Sequence, residues 1–271
     1  MQHSIVPDKS SVPLLLDCSN VSVLRDGKQV LKSISIKIPD GKHVAILGPN
    51  GSGKSSFIKL LMRELYPAQC DSPFEFKIYG RENWNVFELR TYFGLVSNDL
   101  QFTFTRRISG REVLLSGFFS SIGLFYHQIT QNMEDRAWEI AKFLNIEPLM
   151  DQYIEDLSSG EARRLLIGRA LIHRPKVLIL DEPTSSLDLH ALHTLRSYLR
   201  EIARSGIGII LITHQIHDII PEIDRVIMMK NGRFVLDDAK EEILTSENMK
   251  NLFGIPIRIK KEDGYFYATG Y

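Results

Sequence analysis

The stretch Val44-Ala45-Ile46-Leu47, followed directly by Gly48-Pro49-Asn50-Gly51-Ser52-Gly53-Lys54-Ser55, decides the fold. Its second half matches the phosphate-loop pattern G-x-x-x-x-G-K-[ST] at every fixed position. The four aliphatic residues before it are typical of a buried strand, and the residues from Ser55 to Met62 predict the helix that follows. The stretch therefore predicts a strand, a glycine-rich loop and a helix in succession.

A loop of this kind holds a polyphosphate with its backbone. Glycines let N–H groups approach closely, and the helix N-terminus adds partial positive charge. Lys54 is expected to reach the β and γ phosphates, and Ser55 to hold Mg²⁺. The alternative, a glycine turn with a solvent-exposed lysine, is disfavoured by the flanking strand and helix. The candidate nucleotide-contact residues are Gly48, Asn50, Gly51, Ser52, Gly53, Lys54, Ser55 and Ser56.

The composition indicates a globular protein without bulk charge. The chain has 271 residues, 44% of them hydrophobic, with 33 basic and 33 acidic residues. That balance favours neither nucleic acid nor an anionic membrane as a partner. Cys18 and Cys70 provide neither a disulfide framework nor a C-x-x-C metal motif. No run approaches the ~18 apolar residues of a membrane span, and Met1–Ser11 lacks the apolar segment of a signal peptide. We therefore expect a cytoplasmic protein.

Strands and helices alternate along most of the chain, which predicts an α/β fold with a mostly parallel, doubly wound sheet. Three short segments precede the phosphate loop and predict an antiparallel β unit: Leu14–Cys18, Val21–Leu24 and Ser33–Ile38. The hairpin turn Arg25-Asp26-Gly27-Lys28 joins the second of them to Val30-Leu31, which precedes the third. From Ser109 to about Pro148 the signals are mainly helical, which predicts a helical insert.

Two further apolar strands end in residues that can carry chemistry. The strand that begins at Val177 ends in Asp181 and Glu182, and the strand that begins at Gly208 ends in His214. Because the carboxyl ends of parallel strands meet at one edge of a sheet, these side chains are expected beside the phosphate loop. The aspartate suits Mg²⁺, the glutamate can orient and deprotonate water, and the histidine can bond the γ-phosphate. The alternatives are two loop carboxylates and a structural histidine.

A second candidate anion site precedes the acidic pair. Ser158 is a good N-cap, and Glu161, three positions later, completes a capping box for a helix with an apolar stripe. The helix N-terminus at Ser158-Ser159-Gly160 offers the same kind of backbone donors as the phosphate loop. A capping box alone is common, so this one gains weight only from its place in the order of motifs.

In that order and spacing, the motifs resemble those of an ATP-binding cassette (ABC) ATPase. They are Gly48–Ser55, Leu157–Glu161, Val177–Glu182, Ser185–Asp188 and His214, and the resemblance runs from about Leu14 to Gly232. It implies a P-loop NTPase fold of ABC type that binds ATP and Mg²⁺ and hydrolyses ATP. Two copies, head to tail, would sandwich ATP between the phosphate loop of one and the signature of the other. The implied signature and coupling residues are Ser158, Gly160, Glu161 and Asp188, and the implied catalytic residues are Lys54, Glu182 and His214.

The resemblance also divides the chain. We expect a flexible tail over residues 1–11, an ABC ATPase domain over 12–235 with its helical subdomain at about 100–175, and a small C-terminal extension over 236–271. In the extension, the pattern predicts a helix-like stretch over Ala239–Leu252. The alternation in Ile255–Ile259, followed by Tyr265–Tyr267, predicts a hairpin that packs on the domain.

Two positions depart from the family pattern. The family stacks adenine on an aromatic side chain in the early strand, where this chain offers Arg25, whose guanidinium can also stack on a base. The family has a glutamine after the strand Phe93–Ser97, where this chain has Asn98, with Gln101 three residues later. Either could contact Mg²⁺ or water, and Gln101 is favoured. These departures resemble a branch labelled molybdenum-transport or photorepair-type ABC ATP-binding proteins.

Two kinds of function remain open. In the first, the chain energises a separate integral membrane permease from the inner face of the membrane. The uncharged segment Val113–Tyr126 is then either the docking surface or the core of the helical insert. In the second, a stand-alone cytosolic ATPase acts on a nucleic acid or a protein complex. The basic cluster Arg163, Arg164, Arg169 and Arg174 is a pattern more typical of a solvated helix face. A regulator without turnover is disfavoured because Glu182 and His214 are both present.

Overall fold

The computed structural model of the protein describes residues 12–69, 72–97, 100, 103, 104 and 107–270. The strands are β1 (Leu14–Arg25), β2 (Lys28–Pro39), β3 (His43–Leu47), β4 (Glu75–Ile78), β5 (Phe93–Val96), β6 (Val177–Asp181), β7 (Gly208–Thr213), β8 (Arg225–Lys230), β9 (Arg233–Ala239), β10 (Arg258–Glu262) and β11 (Tyr265–Thr269). The α-helices are α1 (Lys54–Leu61), α2 (Val86–Tyr92), α3 (Gly110–Ser116), α4 (Gln131–Phe143), α5 (Ser159–Leu171), α6 (Leu189–Arg204), α7 (Lys240–Ile243) and α8 (Ser246–Phe253). Among the described helices, none combines the length and the apolar character that a membrane crossing requires.

A six-stranded sheet carries the predicted phosphate-loop strand near its centre. Its order is β5-β6-β7-β3-β8-β9, in which the first five strands run parallel and β9 pairs antiparallel to β8. All six residues of β7 are buried, as are the first four of β6. A strand buried on both faces needs an unbroken apolar sequence, which is why these runs do not alternate. The predicted α/β class with a mostly parallel sheet is confirmed.

The two faces of this sheet belong to two separate hydrophobic clusters. Val44 and Ile46 face a cluster that contains α1 and the antiparallel sheet β2-β1-β4. Ala45 and Leu47 face a second cluster, built with α3, α4, α5 and α6. Because side chains of a strand alternate between faces, the same short run supports both layers. The predicted separate strands Leu14–Cys18 and Val21–Leu24 are one strand, β1, with register shifts near Cys18 and Val21.

The helical insert buries more of its sequence than the pattern suggested. Helix α5 is buried along most of its length, so its burial extends beyond the predicted apolar stripe. Arg163 on this helix is only 3% exposed, so the interpretation of the arginine cluster as a solvated helix face is wrong for this residue, whereas Arg174 is exposed. The helix crosses between the central sheet and α3, where only residues on its outer side reach water.

The uncharged segment Val113–Tyr126 is part core and part surface, the two interpretations that the sequence allowed. Val113, Leu114 and Leu115 are fully buried in the core of the insert. By contrast, Phe125 is 62% exposed and Tyr126 completely exposed. The first half is therefore core, and only the second half is available as a surface.

The C-terminal extension packs on the turn that follows β7. The predicted helix over Ala239–Leu252 is interrupted, because Thr245 starts a new helix, α8, by accepting a hydrogen bond from Asn248 N at 3.2 Å. Strands β10 and β11 form the predicted antiparallel hairpin, although it begins at Arg258. Lys240 Nζ donates to the carbonyl of Pro221 at 2.6 Å, which ties the extension to the segment between β7 and β8.

Candidate nucleotide-binding and hydrolysis site

The parallel register brings three reactive strand ends to one edge of the sheet. Leu47 at the end of β3 pairs with Thr213 at the end of β7, and Asp181 at the end of β6 pairs with Ile212. Beyond these pairs, Gly48 N donates to the carbonyl of Thr213 at 3.2 Å, and Glu182 N donates to that of Ile212 at 2.8 Å. The phosphate loop, the acidic pair and the histidine are therefore neighbours.

The phosphate loop presents unsatisfied donors at the start of α1. Its N-cap is Gly53, with φ +112°, and no described side chain caps the helix. The first turn carries no acidic residue, so the positive end of the helix dipole is open to an anion. Ser52 Oγ is buried and has no hydrogen-bond partner among the described residues. A phosphate oxygen would supply the partner that this hydroxyl lacks.

The β8–β9 hairpin holds the loop from behind. Gly232 N donates to the carbonyl of Ser52 at 2.7 Å. A Cβ atom on Gly48 would lie 2.3 Å from the carbonyl oxygen of Met229, so only glycine allows this approach. The sequence analysis missed this support, for which the turn signal Asn231-Gly232 was the available clue.

Lys54 is held inside the loop. Its Nζ donates to the carbonyls of Gly48 at 2.8 Å and Pro49 at 3.1 Å, and lies 3.6 Å from Glu182 Oε1. Burial lowers the pKa of Lys54, while the charge of Glu182 opposes that shift. The side chain is only 5% exposed, so its charge is largely removed from water. Its hydrogen-bond acceptors are the two peptide carbonyls. A triphosphate would be a stronger acceptor for it than peptide carbonyls are.

Glu182 connects Lys54 with His214. Its Oε1 lies 3.0 Å from His214 Nδ1, although the angles do not make this a hydrogen bond. Glu182 has φ +48°, in the left-handed region that non-glycine residues rarely adopt. Such strain costs about 1–3 kcal/mol and persists where the surroundings impose it. This backbone conformation directs the Glu182 carboxylate along the edge of the sheet towards Lys54 and His214.

The hydroxyl of Ser55 and the carboxylate of Asp181 are oxygen ligands of the kind that Mg²⁺ prefers. Both line a cleft of about 400 Å³ that opens beside the loop. In the described part of the chain, no cluster of three or more His, Cys, Asp or Glu forms a cage for a metal ion. Mg²⁺ suits such a sparse site, since it is commonly held by one or two protein oxygens plus substrate phosphates and water. Gln101 and Asn98, the two alternatives for the remaining contact, lie outside the described residues.

The signature Ser158–Glu161 lies at a different place on the surface. Ser158 N donates to Glu161 Oε2 at 2.9 Å and Ser158 Oγ accepts from Glu161 N at 3.3 Å, so the predicted capping box is confirmed. The Ser158 hydroxyl also donates to Glu161 Oε2 at 2.6 Å, and this hydrogen bond, together with the one from Ser158 N, lowers the pKa of Glu161. A Cβ atom on Gly160 would lie 2.7 Å from that of Ala191, so glycine brings the signature against the first turn of α6. Asp188 caps that turn by accepting from Ala191 N at 2.8 Å.

A second space beside the phosphate loop is a cavity of about 570 Å³. Its walls come from the loop, from the start of β2 and from the β8–β9 turn, and Glu182 also lines it. None of residues 157–161, all of them described, reaches this cavity. Arg25 is exposed, lies 3.6 Å from Asp26 and is not part of the cavity wall. The early-strand residues that do line it are Lys28, Gln29, Val30 and Lys32.

This fold and this edge of the sheet define a P-loop nucleoside triphosphatase of the ATP-binding cassette type. A model of the family described as ABC transporter matches residues 31–185. The YlmA protein of Bacillus subtilis (strain 168), an uncharacterised ABC transporter ATP-binding protein, is 32% identical over 248 residues, which cover 91% of this chain and 93% of that protein. The hemin import ATP-binding protein HmuV of Shewanella denitrificans is 31% identical over 249 residues, covering 88% of this chain and 93% of its own.

A solved structure supports the same assignment. The chain is similar to cbiO1 of Clostridium perfringens, part of the ABC transporter complex cbiONQ, with a TM-score of 0.73 and 28% identity over 88% of this chain and 94% of that one. The chain belongs to the ABC transporter family, and it is an ATPase of the ABC type.

Removal of the Lys54 amine is expected to weaken nucleotide binding. A hydrogen bond to a charged group contributes about 1.5–3 kcal/mol, which corresponds to roughly 10- to 100-fold in Kd. We expect Lys54→Ala to raise the Kd for ATP by that factor in isothermal titration calorimetry. Lys142→Ala is the matched control, since it removes an exposed lysine from the last turn of α4, in the helical insert, where it lines neither the loop cavity nor the cleft. Equal affinities of both variants would contradict the placement of the site.

Proposed function

We propose that the protein binds Mg-ATP at Gly48–Ser56 and hydrolyses it with Glu182 as the base. The observation that carries the proposal is the position of the Glu182 carboxylate, 3.6 Å from Lys54 Nζ and 3.0 Å from His214 Nδ1 at the end of the phosphate loop. The N–H groups at the start of α1 and the Lys54 amine would hold the β and γ phosphates. Mg²⁺, held by Ser55 and Asp181, would neutralise charge that develops on the phosphates.

In this mechanism the two side chains beyond the loop have separate tasks. Glu182 would accept a hydrogen bond from the attacking water and take its proton as the water oxygen bonds the γ-phosphorus. The bond between the γ-phosphorus and the oxygen that bridges to the β-phosphate would break, and ADP would leave. His214 would donate a hydrogen bond to a γ-phosphate oxygen and so respond to the loss of that phosphate. The adenine would occupy the cavity beside the start of β2, with Arg25 as the proposed stacking residue at its outer rim. Gln101 remains the proposed additional contact to Mg²⁺ or water.

The variant Glu182→Gln separates binding from chemistry. It keeps the size and the hydrogen-bonding oxygen of the side chain but cannot take a proton. We expect at least about a 100-fold loss of kcat, since general bases contribute roughly 10²–10⁴, with the affinity for ATP retained. The measurement is phosphate release beside ATP binding by calorimetry. Normal turnover by this variant would refute the role proposed for Glu182.

The complete site is proposed to form between two copies of the chain. The signature residues Ser158 and Ser159 are exposed and lie away from the loop cavity of their own chain. Next to them Leu189 is 85% exposed, which is unusual for a large apolar side chain at the start of a helix. A head-to-tail dimer would bring Ser158, Gly160 and Glu161 of one copy to the ATP of the other and would cover this leucine. Asp188 would lie at the same interface.

Two serine caps provide a matched test of that dimer. Ser158 and Ser109 both form capping boxes, with Glu161 and Glu112 respectively. Replacing either by Ala is expected to cost about 1 kcal/mol of stability, because each cap loses its side-chain oxygen. In the Glu182→Gln background, only Ser158→Ala should reduce the ATP-dependent dimer measured by analytical ultracentrifugation. Equal dimerisation of the two variants would contradict the composite site.

The partner is proposed to be an integral membrane permease, reached from the cytoplasmic side. The support is the cleft of about 400 Å³ between the α1 side of the sheet and the helical insert, whose walls include Met62, Leu95 and Ile122. Exposed Phe125 and Tyr126 continue this apolar surface on the insert. Relatives are named for import of hemin and of phosphonates and for export of Nod factor. Under this proposal residues 12–235 form the ATPase unit, with the insert at about 100–175 as its contact with the permease.

A charge placed in the cleft tests this partner. Ile122→Glu should prevent co-purification of an integral membrane protein with the tagged chain from detergent-solubilised membranes, whereas Val235→Glu should not. Val235 is similarly exposed, but it lies on β9, at the opposite edge of the sheet. Recovery of no membrane protein with the unaltered chain would favour the stand-alone ATPase instead. Recovery with both variants would exclude the cleft as the contact.

A further inference from the structure

A buried carboxylate lies directly behind the hydrolytic residues. Asp218 is 2% exposed and ends the single-turn helix Ile216–Asp218 that follows His214. Its Oδ1 accepts a hydrogen bond from Thr184 Oγ1 at 2.7 Å, and its Oδ2 accepts one from Thr213 Oγ1. The carboxylate thus links the loop residue Thr184 to Thr213, the last residue of β7.

The two threonines belong to the segments that carry the proposed base and the proposed phosphate sensor. Thr184 follows Glu182 by two residues, and Thr213 directly precedes His214. Thr213 Oγ1 also accepts from Gln215 N at 2.9 Å, which shapes the backbone around the histidine. The backbone hydrogen bonds between β6 and β7 reach as far as Glu182 N. The carboxylate of Asp218 adds a side-chain connection beyond that point.

The burial of the Asp218 carboxylate is unfavourable by itself. Burial raises the pKa of Asp218, which is the sign of a charge taken out of water. Its hydrogen bonds from the threonines and the nearby His217, at 3.6 Å, act in the opposite direction. An apolar side chain would fill this space with less desolvation, but it could not accept two hydrogen bonds.

The turn is also held from its outer side. The Arg196 guanidinium on α6 donates to the carbonyl of His217. The same guanidinium lies 4.7 Å from the centre of the Tyr265 ring on β11. The turn that carries Asp218 is therefore fixed between the body of the domain and the C-terminal hairpin, so the carboxylate has a defined position from which to act.

We propose that Asp218 is a positioning residue for ATP hydrolysis: through Thr184 and Thr213 it sets the distance between Glu182 and His214. This inference rests on the proposed roles of those two residues. Because both must address the same γ-phosphate, an error in their separation misplaces the attacking water, the phosphate contact or both. Small misplacements of catalytic groups are costly, on the order of 100-fold per ångström. Nucleotide affinity depends on the loop and α1. The hydroxyl of Thr184, unlike the backbone of Thr213, makes its hydrogen bond to Asp218 and not to the loop.

The test removes one hydrogen bond without changing the size of the side chain. Thr184→Val keeps the volume of the threonine and deletes the donor to Asp218. We expect kcat to fall by about tenfold or more, on the scale that misplaced catalytic groups show, with the Kd for a non-hydrolysable ATP analogue changed by less than about twofold. Thr184→Ser restores the hydroxyl and should recover most of the lost rate. Tyr198→Phe, which deletes the buried hydroxyl bonded to Asn145 far from the site, should leave kcat unchanged.

A purely structural role gives a different result. It would lower the melting temperature of Thr184→Val and reduce the fraction of folded protein, but kcat per folded chain would be unchanged, and that result would overturn the proposal. Equal rates for Thr184→Val and Thr184→Ser would overturn it as well. Parallel measurement of Glu182→Gln separates this inference from the proposed function. Loss of turnover in Glu182→Gln with normal turnover in Thr184→Val refutes only the positioning role, whereas turnover in Glu182→Gln refutes both.

Discussion

The register of three parallel strands is the constraint on which the rest of the site depends. β3 pairs with β7, and β7 pairs with β6, so that residues far apart in the chain end at the same level of the sheet. A slip of one residue in any of these ladders would turn every side chain of that strand to the other face. It would also move Glu182 away from Lys54. Burial of both faces of these strands therefore protects the geometry of the reactive edge, because a slip would exchange side chains between two close-packed cores and spoil the packing of both.

The loops that follow the strands need support of their own, because the hydrogen bonds between strands end just before the reactive residues. The β8–β9 turn holds the phosphate loop through Gly232 and Ser52, and the left-handed backbone at Glu182 directs its carboxylate. The network of Asp218 supplies a third support. Each of these features is unfavourable in isolation. The β8–β9 turn approaches the loop closely, Glu182 has a strained backbone, and Asp218 is a buried charge. Together they keep polar groups at fixed positions, which electrostatic catalysis requires because reorganisation then costs little.

The remainder of the chain arranges surfaces around this edge. The helical insert carries the signature on one side and the cleft with Ile122 on another, while α5 passes through its centre as a buried helix. A rigid insert can therefore connect a change at the ATP site with a change at the cleft. The C-terminal hairpin contacts the turn after His214 through Tyr265 and Arg196, so this extension belongs to the same mechanical unit as the reactive edge.

The sequence by itself determined the features that depend on near neighbours in the chain. The phosphate loop between strand and helix, the capping box at Ser158 and the α/β class follow from patterns within a few residues, because turns, caps and periodicity are local interactions. The burial of Arg163 and the hydrogen bond between Asp218 and Thr184 follow only from the tertiary structure. Such outcomes depend on which strands and helices become neighbours. Spacing along the chain does not encode that choice, since contacts between distant segments form only when the apolar faces of the whole domain are buried together.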